Sequence, residues 1–595
     1  MAGACRGALQ RARTGLLLGC CLTHAARAQS PSPYVPAPSA VAVAAPSNLA
    51  DLVRRYDADG DLLNRRWGVP WSAEHRAVAG AFLDAWRSAL DSVRYDTLDV
   101  EGRIDWQLLR NQIAHQQALL SREAARVRTL APLLPWLDAI NTLEVSRRNL
   151  SFLPADSAAR ELNRIALQVD SLRKAVDSGT VKPSRIDAYR AAEVNNDLRR
   201  TLERWFKFFD GYDPVFSWWA RAPWAHADSS LKAYSALLRE KVVGIRKGQD
   251  DPIIGQPIGR DGLMEDLAGE MIAYTPEELI AEAERQMDWM TGEMKKAARE
   301  MGFGDDWKAA LEKVKQDHVA PGEQPALVRD LACEAVAFVE SHDLVTVPPL
   351  ARDGWRMTML SAEAQKTAPF FLGGEVVQVA FPTDAMTEPD KLMSMRGNNR
   401  HFARATVFHE LIPGHELQGF MNDRYNTQRR LFYTPFYIEG NAFYWETIFW
   451  DQGFPQSPAD RIGMLFWRMH RSARVIFSLS FHLGRWTPEQ CVQFLVDRVG
   501  HERANAEAEV RRSFNGDYSP LYQVAYMMGG MQFRALHHEL VDSGKMTDRQ
   551  FHDAILQSGP IPVEMVRARL EGTRLPKDWK AGWKFLNELP ASRNY

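Results

Sequence analysis

The sequence predicts a mainly α fold, a large helical body carrying a small β-sheet. Apolar residues recur three and four apart over most of 48–260, the periodicity of helices with one buried face. Thr275-Pro276-Glu277-Glu278 opens a second helical stretch with a capping-box signature. Against these, 373–381 is the clearest strand, β-branched and bounded by glycines before it and Pro382 after it.

Taken in order, residues 1–28 carry Arg6, Arg11 and Arg13, then a short apolar run over 15–22, then Ala26-Arg27-Ala28. Basic region, apolar core and A-x-A site predict a secretory signal peptide, so the mature chain is expected to begin near Gln29 and to be exported, periplasmic or extracellular. Leu17-Leu18-Gly19-Cys20 is a poor version of a lipid-attachment site, and anchoring through Cys20 is the minor alternative. Residues 29–48, rich in Pro, Ala and Ser, read as a linker.

A helical N-terminal region is expected over 49–265, with helices near 79–93, 106–122, 157–178 and 185–209. The aromatic patch of Phe216, Trp218, Trp219 and Trp224 is assigned to its core. The rest, 266–595, is expected to form a catalytic region. In it a helix runs from Thr275 to about Met301 and another over 325–340; Pro348-Pro349 breaks the pattern before the strand.

Composition excludes several classes. The chain has 73 basic and 75 acidic residues and a net charge of −2, so neither a nucleic acid nor an anionic membrane surface is an expected partner. After the leader no segment reaches the roughly 18 apolar residues needed to span a bilayer. Only Cys333 and Cys491 remain there, enough for at most one disulfide and without the clustering of a thiolate metal site.

The chemistry concentrates in His409-Glu410-Leu411-Ile412-Pro413-Gly414-His415. A His followed by Glu, with a second His nearby, is how many zinc hydrolases assemble a metal and its general base. The ordinary spacing is four residues on one helix face; here Pro413 takes that place and the second His comes six on. Six residues turn an ideal helix by about 240°, away from His409. Pro413 and Gly414 can distort the turn and swing His415 back; otherwise the two histidines are unrelated and flank a helix break. His401, eight residues before His409, is the substitute if the bend fails.

A catalytic zinc usually takes a third protein ligand. Glu439 lies 24 residues after His415 in an aromatic run, where an unpaired carboxylate would be costly. Glu446, seven residues later, falls on nearly the same helix face and can orient a histidine. The strand over 373–381 can pair with an extended peptide beside the site, or be an ordinary strand.

The run His409-Glu410-x-x-Pro413-Gly414-His415-x-x-Gln418, with Glu439-Gly440 after it, resembles domain-of-unknown-function family eight-eighty-five of bacteria, whose members resemble gluzincin zinc metallopeptidases. The resemblance runs from Tyr274 through Gly529 and more diffusely through the N-terminal half. It implies a gluzincin-like metal-binding helix beside the small sheet, Zn2+ held by His409, His415 and Glu439, and Glu410 as general base. Through the stretches 481–487 and 520–526 it further implies His482, Gln523 or Tyr526 over the metal, with His482 and Tyr526 as candidate catalytic donors to an oxyanion. The chain departs from the family pattern at Asn441 and at Ser478-Leu479-Ser480, which bear on the pocket and not on the ligands.

The expected activity is hydrolysis of a peptide or related amide by metal-activated water, with a peptide or small amide as substrate. Two alternatives stand beside it: a metal-dependent ester or cyclic amide hydrolase, and a non-catalytic secreted binding protein. The general base at Glu410 counts against the second, since binding alone needs none.

Overall fold

Helices follow one another through nearly all of the described residues, and the only sheet among them has two strands. The computed structural model describes residues 48–246, 252–365, 373–516 and 518–589. The leader over 1–28 and the linker up to residue 47 lie outside them. No described helix is long and apolar enough to cross a membrane.

The local signals produce the elements they encode. Thr275 accepts from the Glu278 amide while the Glu278 carboxylate accepts from the Thr275 amide, and the helix Pro276–Glu300 follows. Ser184 caps Arg185–Phe209 by accepting from the Asp187 amide. The helix expected over 106–122 is longer, Val100–Leu130, because Asp99 caps it and it starts six residues earlier.

Two hydrophobic cores result. One, drawn from 130–254, joins Ala155–Asp177, Arg185–Phe209 and Pro214–Leu237. The larger combines residues 49–113 with residues 263–585, so the start of the chain packs with its second half. The aromatic patch divides. Phe216 is buried and Trp224 stacks on Phe206, but Trp218 and Trp219 are 77% and 44% exposed. They lie on the outer face of Pro214–Leu237, and their assignment to the core is corrected.

The strand expected over 373–381 forms over Val376–Val379 (β2) and pairs in parallel with Arg356–Met359 (β1). β1 has no sequence signature: Arg-Met-Thr-Met lacks a β-branched run, and its pairing partner lies about twenty residues on. Cys333 is exposed and Cys491 buried, and they are not bonded.

The site rests on a few long helices. Pro435–Asp451 and Tyr522–His537 approach backbone to backbone, since a Cβ on Gly529 would lie 2.1 Å from the Phe436 carbonyl oxygen and one on Gly440 2.5 Å from Gly529 Cα. That contact fixes Glu439, next to Gly440, against the tyrosines at the start of the other helix. Pro458–His482 packs on Arg400–Glu410 through Phe402 stacked on Phe466 at 4.2 Å.

Candidate metal centre

The motif forms two helices rather than one bent one. Arg400–Glu410 is capped by Asn399 and ends at Glu410; the chain turns through residues 411–414, with a cis bond between Ile412 and Pro413, and His415–Asn422 begins. Only glycine fits at 414, where a Cβ would lie 1.8 Å from the His409 carbonyl oxygen. The turn returns His415 to His409, with ring centroids 4.9 Å apart.

The two imidazoles meet Glu439. His415 Nε2 lies 3.2 Å and His409 Nε2 3.6 Å from the same oxygen, Glu439 Oε2. Ligand atoms placed tetrahedrally at about 2.0–2.1 Å from one zinc are about 3.3 Å apart, so these separations fit one small cation. Glu439 Oε2 is buried and has no hydrogen-bond donor, as is His415 Nδ1, and a buried carboxylate oxygen left so is costly. The donor chemistry and the orphaned oxygen both fit zinc.

The surrounding groups orient the donors. His409 Nδ1 donates to Glu446 Oε1 at 2.8 Å; since a carboxylate can only accept, a proton sits on Nδ1, and the ring in its neutral form turns the Nε2 lone pair towards Glu439. Tyr522 Oη donates to the other Glu439 oxygen, Oε1, at 2.5 Å. Glu410 Oε2 stands 3.9 Å from His415 Nε2. Glu410 also offers an oxygen within 4.8 Å of both imidazoles, but Glu439 Oε2 lies nearer to His415. That proximity, and the Tyr522 hydrogen bond, favour Glu439 as the ligand.

Charge follows the same pattern. Burial alone would lower the His409 pKa, but the facing carboxylates of Glu439, Glu446 and Glu410 outweigh burial and carry it up to about 9, so positive charge is favoured at this ring. Burial would raise Glu439, yet His415 and His409 hold it well below the ordinary carboxylate range. Three carboxylates around two imidazoles thus stabilise positive charge in the space between them.

These groups line a cavity of about 360 Å³. Gly373 and Gly374, leading into β2, form part of its wall, and the Gly374 amide faces the Glu410 carbonyl at 3.4 Å. Opposite stand Tyr526, Arg471 and Arg474, whose guanidiniums lie 5.0 and 4.3 Å from the Tyr526 ring. Arg474 donates to Glu509 at 2.7 Å and Arg471 to Glu446 at 3.3 Å. Burial and then the Glu439 charge push the Tyr526 hydroxyl above its ordinary pKa, so it stays protonated.

Of the sequence candidates, His409, Glu410, His415, Glu439 and Tyr526 come together here. Two do not. His482 ends its helix on the wall of a different cavity, beside Ser513 and Phe514; its placement over the metal is corrected, because the helix last lines the metal cavity at Arg474 and the eight residues that follow carry it beyond. Gln523 is spent behind the wall, donating to Glu509 and Ser513. His401 is held by Asp460 at 2.7 Å and Asp317 at 3.1 Å and takes no part. Tyr522 was missed: it sits one turn before Tyr526, and only that spacing marks it.

The sequence model of the family described as "Bacterial protein of unknown function (DUF885)" matches residues 54–570. Among solved structures, a "putative lipoprotein of unknown function" from Shewanella oneidensis is similar with a TM-score of 0.63 at 19% identity, over 89% of this chain and 100% of that one. A "putative lipoprotein" from Colwellia psychrerythraea has a TM-score of 0.54 at 14% identity, over 84% and 91%. At these identities the likeness is one of fold. No curated protein matches the sequence.

Proposed function

The chain belongs to the DUF885 family of bacterial proteins of unknown function, and from the chemistry of its own residues we propose that it is an exported zinc-dependent hydrolase of peptide or related amide bonds. The observation that carries this reading is the convergence of His409 Nε2, His415 Nε2 and Glu439 Oε2 at 3.2 and 3.6 Å, with the carboxylate of Glu410 beside them. The signal-peptide pattern at residues 1–28 supports export, as do the two similar structures described as lipoproteins.

His409, His415 and Glu439 would hold the ion, which when bound lowers the pKa of water and polarises a carbonyl. Glu410, adjacent in sequence to one ligand, accepts the proton of the attacking water and passes it to the leaving nitrogen. Tyr526, kept protonated by burial, donates to the oxyanion that develops on the carbonyl. Glu446 and Tyr522 position His409 and Glu439. The wall at Gly373 and Gly374 offers backbone to an extended chain.

The test is incubation of the mature protein with a mixed peptide library, products being read by mass spectrometry, with Glu410→Gln as control. The expected result is cleavage that falls by about three orders of magnitude or more in the variant while its zinc content is unchanged. Equal cleavage by both proteins contradicts the role of Glu410. Turnover of esters or cyclic amides with every peptide intact moves the reading to the other hydrolase class.

A further inference from the structure

A larger cavity lies beside the one that holds the metal centre. A second cavity of about 790 Å³ opens among the helices Ala73–Asp91, Val100–Leu130 and Arg185–Phe209 and the end of Pro458–His482. Tyr518 lines both cavities, and Arg512 in one wall is followed at once by Ser513 and Phe514 in the other. The two spaces therefore share a boundary only a residue or two thick.

The second cavity is cationic beyond its own compensation. Its acidic residues are engaged: Glu123 with Arg76 at 3.0 Å, Asp197 with Arg200 and the Trp71 indole. Arg122 is likewise paired, with Glu265 and Asp266. Arg126 and Arg190 have no carboxylate within ion-pair distance among the described residues. Arg122, Arg126 and Arg190 all line this one cavity; burial, then the charges of Arg190 and Arg122, disfavours the charged form of Arg126 and outweighs the pull of Glu123.

Unused hydrogen-bonding atoms collect in the same walls. His482 is 5% exposed and neither of its ring nitrogens has a partner. Arg190 Nε and His75 Nδ1 are buried and unpartnered too. Half-buried cations and donors without partners are costly, and an anion with planar, bidentate oxygens removes the cost.

We propose that this cavity is an anion subsite that binds a carboxylate of an acidic peptide through Arg126, Arg190 and His482, the peptide reaching past Tyr518 to the metal cavity. The inference rests on the hydrolase reading for the identity of the ligand, and on the cavity alone for its charge. A side-chain carboxylate and a C-terminal carboxylate share this chemistry.

Binding tests it without turnover. The mature Glu410→Gln protein is titrated into four fluorescein-labelled hexapeptides, Glu-containing or with Gln in place of Glu, each as free acid or C-terminal amide, and anisotropy is read. The Glu or free-acid forms are expected to bind about 10-fold or more tighter than their neutral counterparts. The preference is expected to vanish with Arg126→Gln plus Arg190→Gln and to persist with Arg190→Lys, which keeps the charge if the double variant folds poorly. Preference for Glu over Gln assigns the side-chain carboxylate; preference for acid over amide assigns the C-terminus.

Equal binding of all four peptides, or a preference untouched in a folded double variant, overturns the subsite. Zinc analysis of the same samples separates the two readings. An arginine-dependent preference in protein that takes up no zinc sustains the subsite and removes the hydrolase, whereas zinc in these samples and cleavage by the parent protein, without any preference, do the reverse.

Discussion

Tyr522 holds Glu439 from behind: its hydroxyl donates to Oε1 at 2.5 Å and leaves Oε2 to face both histidines. The carboxylate is thereby divided into one oxygen that is anchored and one that is free to bind. Tyr522→Phe removes the anchor and keeps the ring. Zinc affinity, measured by competition with a chromogenic chelator, is expected to fall about 10- to 100-fold, with little change in the circular dichroism spectrum. Unchanged affinity would show that the helix alone positions Glu439.

Glu446 acts on the other side. Glu446→Gln can accept from His409 Nδ1 but no longer carries charge, and it leaves Arg471 without its carboxylate. The expected outcome is a loss of about 10-fold or more in zinc affinity, measured in the same assay. An amide that restores full affinity would mean the proton on Nδ1 is fixed by geometry and not by charge.

The close helix contact predicts a stability effect away from the chemistry. In Gly529→Ala the new methyl meets the Phe436 carbonyl oxygen at 2.1 Å, so the helices must separate. Overpacking of this kind costs about 1–3 kcal/mol or more; a lower melting temperature and weaker zinc retention are expected together, since Glu439 rides on the displaced helix. Destabilisation without loss of zinc would uncouple the contact from the site.

These cases show what the sequence carries and what it does not. The helix starts at Thr275 and Ser184 are written in three or four consecutive residues, and so was the reach from His409 to His415, because Pro413 and Gly414 lie between them. The seven-residue step from Glu439 to Glu446 was legible for the same reason. β1 was not, since its partner is non-local. Nor was the distance between His482 and the motif: a residue at a helix end goes where 25 residues of packing take it. The Trp218-Trp219 pair misled because aromatic content does not say which face of a helix is covered.

Burial of neutral His482 predicts a pH dependence of stability. With its pKa lowered to about 4 by burial, against an ordinary 6.5, the unfolded chain binds a proton between those values and the folded one does not. Stability is therefore full above pH 6.5, falls as pH drops to about 4, and loses nothing further from this group below that. At about 1.4 kcal/mol per unit the loss is roughly 3 kcal/mol. His501, lowered to about 3 by burial, adds in the same direction. Denaturant midpoints at pH 7 and pH 4.5 check this, and His482→Gln is expected to flatten the difference.

The most direct measurement is the metal content of the purified mature protein beside that of His415→Ala and Glu439→Gln, by plasma mass spectrometry after equilibration with zinc and gel filtration. The account predicts about one zinc per chain in the parent and its loss in both variants. A parent that retains no zinc, or variants that retain all of it, would contradict the assignment of His409, His415 and Glu439 as a metal centre.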